Sequence, residues 1–235
     1  MTFSHSVARV RTFIYDVSTS RFGVLIVVAI AVLLSAADRN YGFFFGLGVA
    51  LIIVKEHGWD WSVMGFGQRI TVRTVLIAIA LAAVSYLAFG VIDALLELKY
   101  GAIDLSSVED IKGNFVGYAV LMIIMWVFAA FGEELLFRGY YMQWTARMFG
   151  STTTAWLVAA VLTSVYFGVS HSYQGMAGAI SVGLGGLFQA MIYFFNRRNL
   201  ALGALVHGFF DSIGLTLIFL DKYDVIGNWV LGQIQ

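Results

Sequence analysis

Cysteine and proline are both missing from this 235-residue chain. Without cysteine there is no disulfide framework, no thiolate zinc site and no cysteine nucleophile. Without proline, of which about 5% is usual, no helix is kinked by a ring, and any bend falls to the 25 glycines. Charge is scarce as well. Asp, Glu, Lys and Arg make up 12% of the residues, against about 25% in soluble domains. The formal net charge is zero, which speaks against nucleic acid as a partner. Internal repeats and low-complexity segments are absent. No cleaved signal peptide is read. The first apolar run begins near Phe22, after a polar lead with Arg9, Arg11 and Arg21, and a second follows after only Asp38-Arg39-Asn40, so the first is a retained span.

What remains is apolar: 60% of residues are hydrophobic and the mean hydropathy is +0.85. A soluble surface cannot cover such a chain. The fold expected is all-α, a polytopic membrane helical bundle of seven to eight transmembrane helices, forming one integral-membrane domain over residues 1–235. Apolar runs predict spans at about 22–37, 41–54, 74–98, 115–145, 153–171, 176–195 and 200–220. Val7, Val10, Ile14 and Val17 recur at helical spacing and predict a surface-lying helix before them. The tail 221–235 is too short to span. Trp59 and Trp61 read as interfacial anchors, His57 as a solvated loop residue, and Ser106-x-x-Glu109 as a capping box. Gly175, Ala179 and Gly183 recur every fourth residue, a face for close helix contact. Alternating the seven spans puts ten Lys and Arg on the N-terminal side and four on the other. The positive-inside rule then places the N-terminus in the cytoplasm, in the cell (inner) membrane.

One apolar run carries charge. In Phe131-Gly-Glu133-Glu134-Leu-Leu-Phe-Arg138-Gly139 two carboxylates and an arginine lie within a predicted span, where each charge is expensive and calls for a partner. Glu134 and Arg138 are four apart with the acid first, the favourable order for a helical ion pair. Glu133 points about 100° away around the helix and is left free. His171, His207 and Asp211 also fall within spans, and His207 and Asp211 share a face four residues apart. At about 1.5 Å per residue, Glu133, His171 and His207 all fall near mid-membrane depth. A carboxylate can take a proton from water, and neutral histidine can hold that water. Two His and a Glu also suit a catalytic zinc, although His-Glu-x-x-His is absent.

Taken in order, Glu133-Glu134-x-x-x-Arg138, Phe167-x-x-x-His171 and His207-x-x-x-Asp211 resemble the three motifs of the CAAX protease and bacteriocin-processing family, over about residues 115–215. The resemblance implies an intramembrane endopeptidase that hydrolyses a peptide bond of a membrane-anchored protein or peptide, prenylated CAAX proteins among the possible substrates. By that resemblance Glu133 and His171 activate the water, and His207 with Asp211 stabilises the oxyanion. Glu134, Arg138 and Phe167 support the site. The third motif carries Asp where some members carry Asn, and an Asp stabilises an oxyanion only when protonated. The mechanism is left open between zinc and a metal-free, glutamate-activated water. The partners implied are the lipid bilayer and the anchored substrate; oligomeric state is not fixed. Two other readings stand beside this one: a non-catalytic membrane scaffold or bacteriocin-immunity protein of the same fold, and a transporter or proton pathway through buried Glu, His and Asp.

Overall fold

In the computed structural model the backbone is described for residues 3–234 and the side chains for residues 7–233. Among these the chain is all helix, with no strand. The helices are α1 (Phe3–Thr19), α2 (Gly23–Ser35), α3 (Arg39–Glu56), α4 (Val72–Tyr100), α5 (Phe115–Met148), α6 (Thr153–Ser170), α7 (Gly175–Phe195), α8 (Leu200–Phe219) and α9 (Val225–Ile234). With no proline to punctuate the chain, starts are set by side-chain caps that satisfy early N–H groups. Asp38 accepts from Asn40 N at α3, Asn114 from Gly117 N at α5, Thr152 from Ala155 N at α6, and Asn199 from Ala201 N at α8. Thr71 and Thr74 form a reciprocal box at α4.

Five helices are long and apolar enough to cross a membrane: α4, α5, α6, α8 and the stretch Ser172–Phe195 that contains α7. A sixth crossing is reached if α1 and α2 together form one broken span, bent by 109°. The seven predicted runs all fall on helices. The first two are not among the five: α2 has only 13 residues, and α3 carries Arg39, Lys55 and Glu56 within its 18. The protein is a multi-pass membrane helical bundle. Its outer face agrees: Val72, Leu76, Val84 and Leu87 of α4 are each at least 60% exposed, as a lipid-facing stripe would be.

α5 is the axis of the bundle. It is α-helical to Ile124, widens to a π-helix over Met125–Met142, and returns to α at Gln143–Met148. The π form pairs i with i+5, is rare, and is often found at functional sites. From Glu134 to Ala146 every residue is buried. Val49 and Ile53 of α3, Phe167 of α6 and Leu135, Leu136 and Tyr140 of α5 share one core. Trp156, Tyr193 and Leu200 fill the neighbouring layer between α6, α7 and α8.

Two glycines allow the close approaches that bring the motif helices together. A Cβ on Gly168 would come within 3.0 Å of the Gly183 Cα, so α6 and α7 touch along their backbones. Gly183 belongs to the small-residue face read from the sequence. A Cβ on Gly208 would run into the Trp126 ring, so α8 sits directly on the π segment of α5.

Two local expectations are corrected. Ser106 does not cap a helix: its N–H donates to Asp104 Oδ1, and the turn Glu109–Ile111 begins at Val108 without a side-chain cap. The Ser106 hydrogen bonds hold the Asp104 carboxyl below its ordinary range. Trp61 is half-buried against Phe66 and Phe131, and Trp59 is exposed. Arg138 is 2% exposed inside the bundle, so it adds nothing to the charge of a connecting segment. His57 is exposed at the end of α3, as expected, with Nδ1 against Ile53 O at 2.9 Å.

Candidate active site

Three helices bring the motif residues to one place: the π segment of α5 carries Glu133, Glu134 and Arg138; the end of α6 carries Phe167 and His171; α8 carries His207 and Asp211. All seven predicted site residues are gathered.

The lower part of the cluster is closed. Arg138 Nη1 donates to Glu134 Oε1 at 2.9 Å, the predicted i,i+4 pair, and Nη2 donates to the Gly186 carbonyl at 2.7 Å. His207 Nδ1 lies 3.0 Å from the same Glu134 oxygen, and a carboxylate there makes it the donor. Phe167 explains its place in its motif. Its ring lies 4.9 Å from the Arg138 guanidinium carbon, and its centroid lies 4.7 Å from that of His171 and 6.5 Å from that of His207. It is a greasy spacer in contact with three polar residues at once. Glu134 is fully buried.

The upper part is open. Glu133 faces a cavity of about 700 Å³, together with His171, His207 and Asp211. Its two oxygens lie 3.9 Å from His171 Nε2 and from His207 Nε2 respectively, too far for direct hydrogen bonds and far enough to admit water. His171 Nδ1 is 2.8 Å from Phe167 O. A carbonyl only accepts, so Nδ1 carries a proton, and neutral His171 turns an unprotonated Nε2 toward Glu133. His207 Nε2 is 3.4 Å from Asp211 Oδ2. Farther out, Asp93 accepts from Ser181 Oγ, Glu97 Oε1 accepts from Ile103 N at 2.8 Å, and Arg39 stacks 4.2 Å over the Tyr173 ring. Most of the lining is apolar, including Phe43, Phe89, Leu121 and Phe128.

A zinc site needs three convergent donors. Among the described residues, no three His, Asp or Glu side chains are arranged to hold a metal ion. The side chains as placed do not fit a zinc centre.

The sequence reading missed two contributors. One is the Gly186 carbonyl, a backbone group that no residue type announces. The other is Gln189, on α7. Its Oε1 and Glu134 Oε2 are both buried without a hydrogen-bond partner, and a Cβ on Gly203 would lie 3.7 Å from the first and 3.4 Å from the second. A lone amide within an apolar span was the available signal, because a polar group at membrane depth calls for a function.

Residues 115–213 match the family described as type II CAAX prenyl endopeptidase Rce1-like. This is the family that the three motifs resemble. The Rce1-like segment begins with α5 and ends two residues after Asp211, so it contains the whole cluster. It supports a protease role within the membrane. Neither a curated protein nor a solved structure matches the chain.

Proposed function

We propose that this protein is an intramembrane endopeptidase of the Rce1-like type, in which Glu133 and His171 activate a water molecule. One observation carries the reading: the Glu133 carboxyl and the Nε2 of His171 face each other at 3.9 Å on the wall of a largely apolar cavity. A water between them donates one proton to each and turns a lone pair toward a substrate carbonyl. As that oxygen attacks, Glu133 takes its proton and the carbonyl becomes an oxyanion. His207, as an imidazolium with Nδ1–H held by Glu134, offers Nε2–H to the oxyanion. Glu133 then returns its proton to the leaving amine as the C–N bond breaks, giving one new carboxyl and one new amino terminus. Asp211, beside Nε2, keeps the imidazolium company as a counter-ion, so it need not be protonated to be useful. Glu134, Arg138 and Phe167 position His207 and His171.

The substrate class in this reading is a membrane-anchored protein or peptide, with prenylated CAAX proteins as the family's example. The apolar cavity wall supports a greasy substrate segment. A topology of seven to eight spans, read from the apolar runs, with the whole chain as one domain and a cytoplasmic N-terminus that rests on the distribution of Lys and Arg, completes the proposal.

The test compares protein termini in membranes that contain equal amounts of the wild type or Glu133→Gln, followed by cleavage of the candidate substrate by purified protein in liposomes. New termini that require Glu133 support the proposal. A substrate cut equally well by folded Glu133→Gln overturns it.

A further inference from the structure

A second, smaller pocket of about 270 Å³ lies away from the site, where the α1–α2 bend, the end of α3 and the end of α5 meet. Its polar lining comes from Arg21, Arg147, His57, Thr19 and Ser20, and no carboxylate lines it. The hydroxyls of Thr19 and Ser20 donate to the carbonyls of Tyr15 and Val17, so the guanidinium groups dominate what it offers a ligand. The Arg147 guanidinium lies 4.2 Å over the Trp144 ring, and that of Arg21 lies 5.4 Å from the Phe22 ring. A guanidinium stacked on a ring face keeps its edge N–H donors for an anion. Glu56 is paired with Arg11, and Asp60 accepts from the N–H of Ser62.

The pocket is too small for a drug-sized ligand and is open to the surface. Three exposed apolar side chains flank it in sequence: Phe22 and Leu25 beside Arg21, and Phe149 beside Met148. The Trp144 indole on its wall suits the membrane–water boundary. A phosphate in the pocket would thus have acyl-chain contacts beside it, and basic pockets between membrane helices take phospholipid headgroups.

We infer that Arg21 and Arg147 form a phosphate-binding site for the headgroup of an anionic phospholipid, which fastens the α1–α2 bend to the end of α5. This proposal is independent of the hydrolytic reading.

The test uses the purified full chain in a zwitterionic detergent. It follows the melting temperature and, by native mass spectrometry, bound lipid. The probes are dioleoyl phosphatidate, dioleoyl phosphatidylcholine and inorganic phosphate. Phosphatidate is expected to bind saturably and raise the melting temperature, with affinity falling about fivefold for each of Arg21→Gln and Arg147→Gln. Arg73→Gln, which removes a charge from the start of α4 outside the pocket, is expected to change nothing. Because Arg147 also packs on Trp144, Arg147→Lys serves as a second variant that retains charge and should recover most of the binding. Inorganic phosphate competing at millimolar concentration would keep the site and assign it to free phosphate as well as lipid. Equal binding of phosphatidylcholine, an equal loss in Arg73→Gln, or undiminished binding in folded Arg21→Gln would each overturn the proposal.

Discussion

Glu133 and Glu134 are neighbours in the chain and opposites in the fold. Glu134 is fully buried, and one of its oxygens carries both Arg138 and His207. Glu133 is 18% exposed, faces the cavity, and has both histidines 3.9 Å away. The same side chain has thus been placed in a closed polar layer and in an open one. The closed layer fixes an imidazole; the open layer leaves room for water. The helical offset of about one residue separates the two jobs.

The largest expected difference is in turnover. Glu133→Gln keeps size and hydrogen bonding but cannot accept the water proton, so cleavage should fall by about 10²–10⁴-fold, the usual range for a general base. Its melting temperature should stay near that of the wild type, since no partner in the closed layer is lost. A parallel measurement of rate and melting temperature checks both halves. If Glu133→Gln melts early, the two layers are not separable.

The closed layer should show the reverse. Arg138→Met leaves the Glu134 carboxylate with His207 as its sole partner and the Gly186 carbonyl without its donor, and breaking a buried pair costs about 3–5 kcal/mol. The double variant Glu134→Gln/Arg138→Met removes both charges and should recover much of that loss in a thermal unfolding scan. It should remain slow in cleavage, because His207 has lost its anchor. A double variant as unstable as Arg138→Met would show that the pair is not what holds this layer.

Between the layers lies Gln189. Its Oε1 and the second oxygen of Glu134 are both acceptors, and both are buried and unmet. A bridging water, or the amide turned to put its NH₂ toward Glu134, would satisfy the carboxylate. Gln189→Leu removes that donor route and should cost about 1–3 kcal/mol, the penalty for an unsatisfied buried group. Gln189→Asn should not rescue it, because the shorter side chain withdraws the amide from Glu134. Unfolding scans of both variants decide this; a neutral Gln189→Leu would mean that the carboxylate is satisfied without the amide.

The sequence made the helices and the pair Glu134–Arg138 legible, because apolar runs and i,i+4 spacing are local signals. Order along the chain also brought Phe167, His171, His207 and Asp211 into one reading. What it left out is tertiary. The Gly186 carbonyl that receives Arg138 carries no side-chain signature. The π widening over Met125–Met142 departs from the α geometry assumed for the run. Whether α2 crosses a membrane depends on its junction with α1, where the chain turns by 109° without proline or a side-chain cap. Hydropathy alone also overcounted Arg138, since it cannot tell a buried partner from a charge at the membrane edge.

The smallest expected effect falls on Asp211, and it separates two roles for that carboxylate. If Asp211 donates directly to the oxyanion, it must carry a proton, and Asn, which always offers N–H, should match or exceed it. If it is instead a counter-ion to His207, 3.4 Å from Nε2, Asn replaces a charge-assisted contact with a neutral one of about half the strength. The partial exposure of Asp211, 28%, softens the loss. Asp211→Asn should therefore slow cleavage by less than about tenfold and leave substrate affinity unchanged, a split that steady-state kinetics reads directly. Asp211→Leu should slow it further. A gain of activity in Asp211→Asn would favour direct donation and remove the counter-ion role.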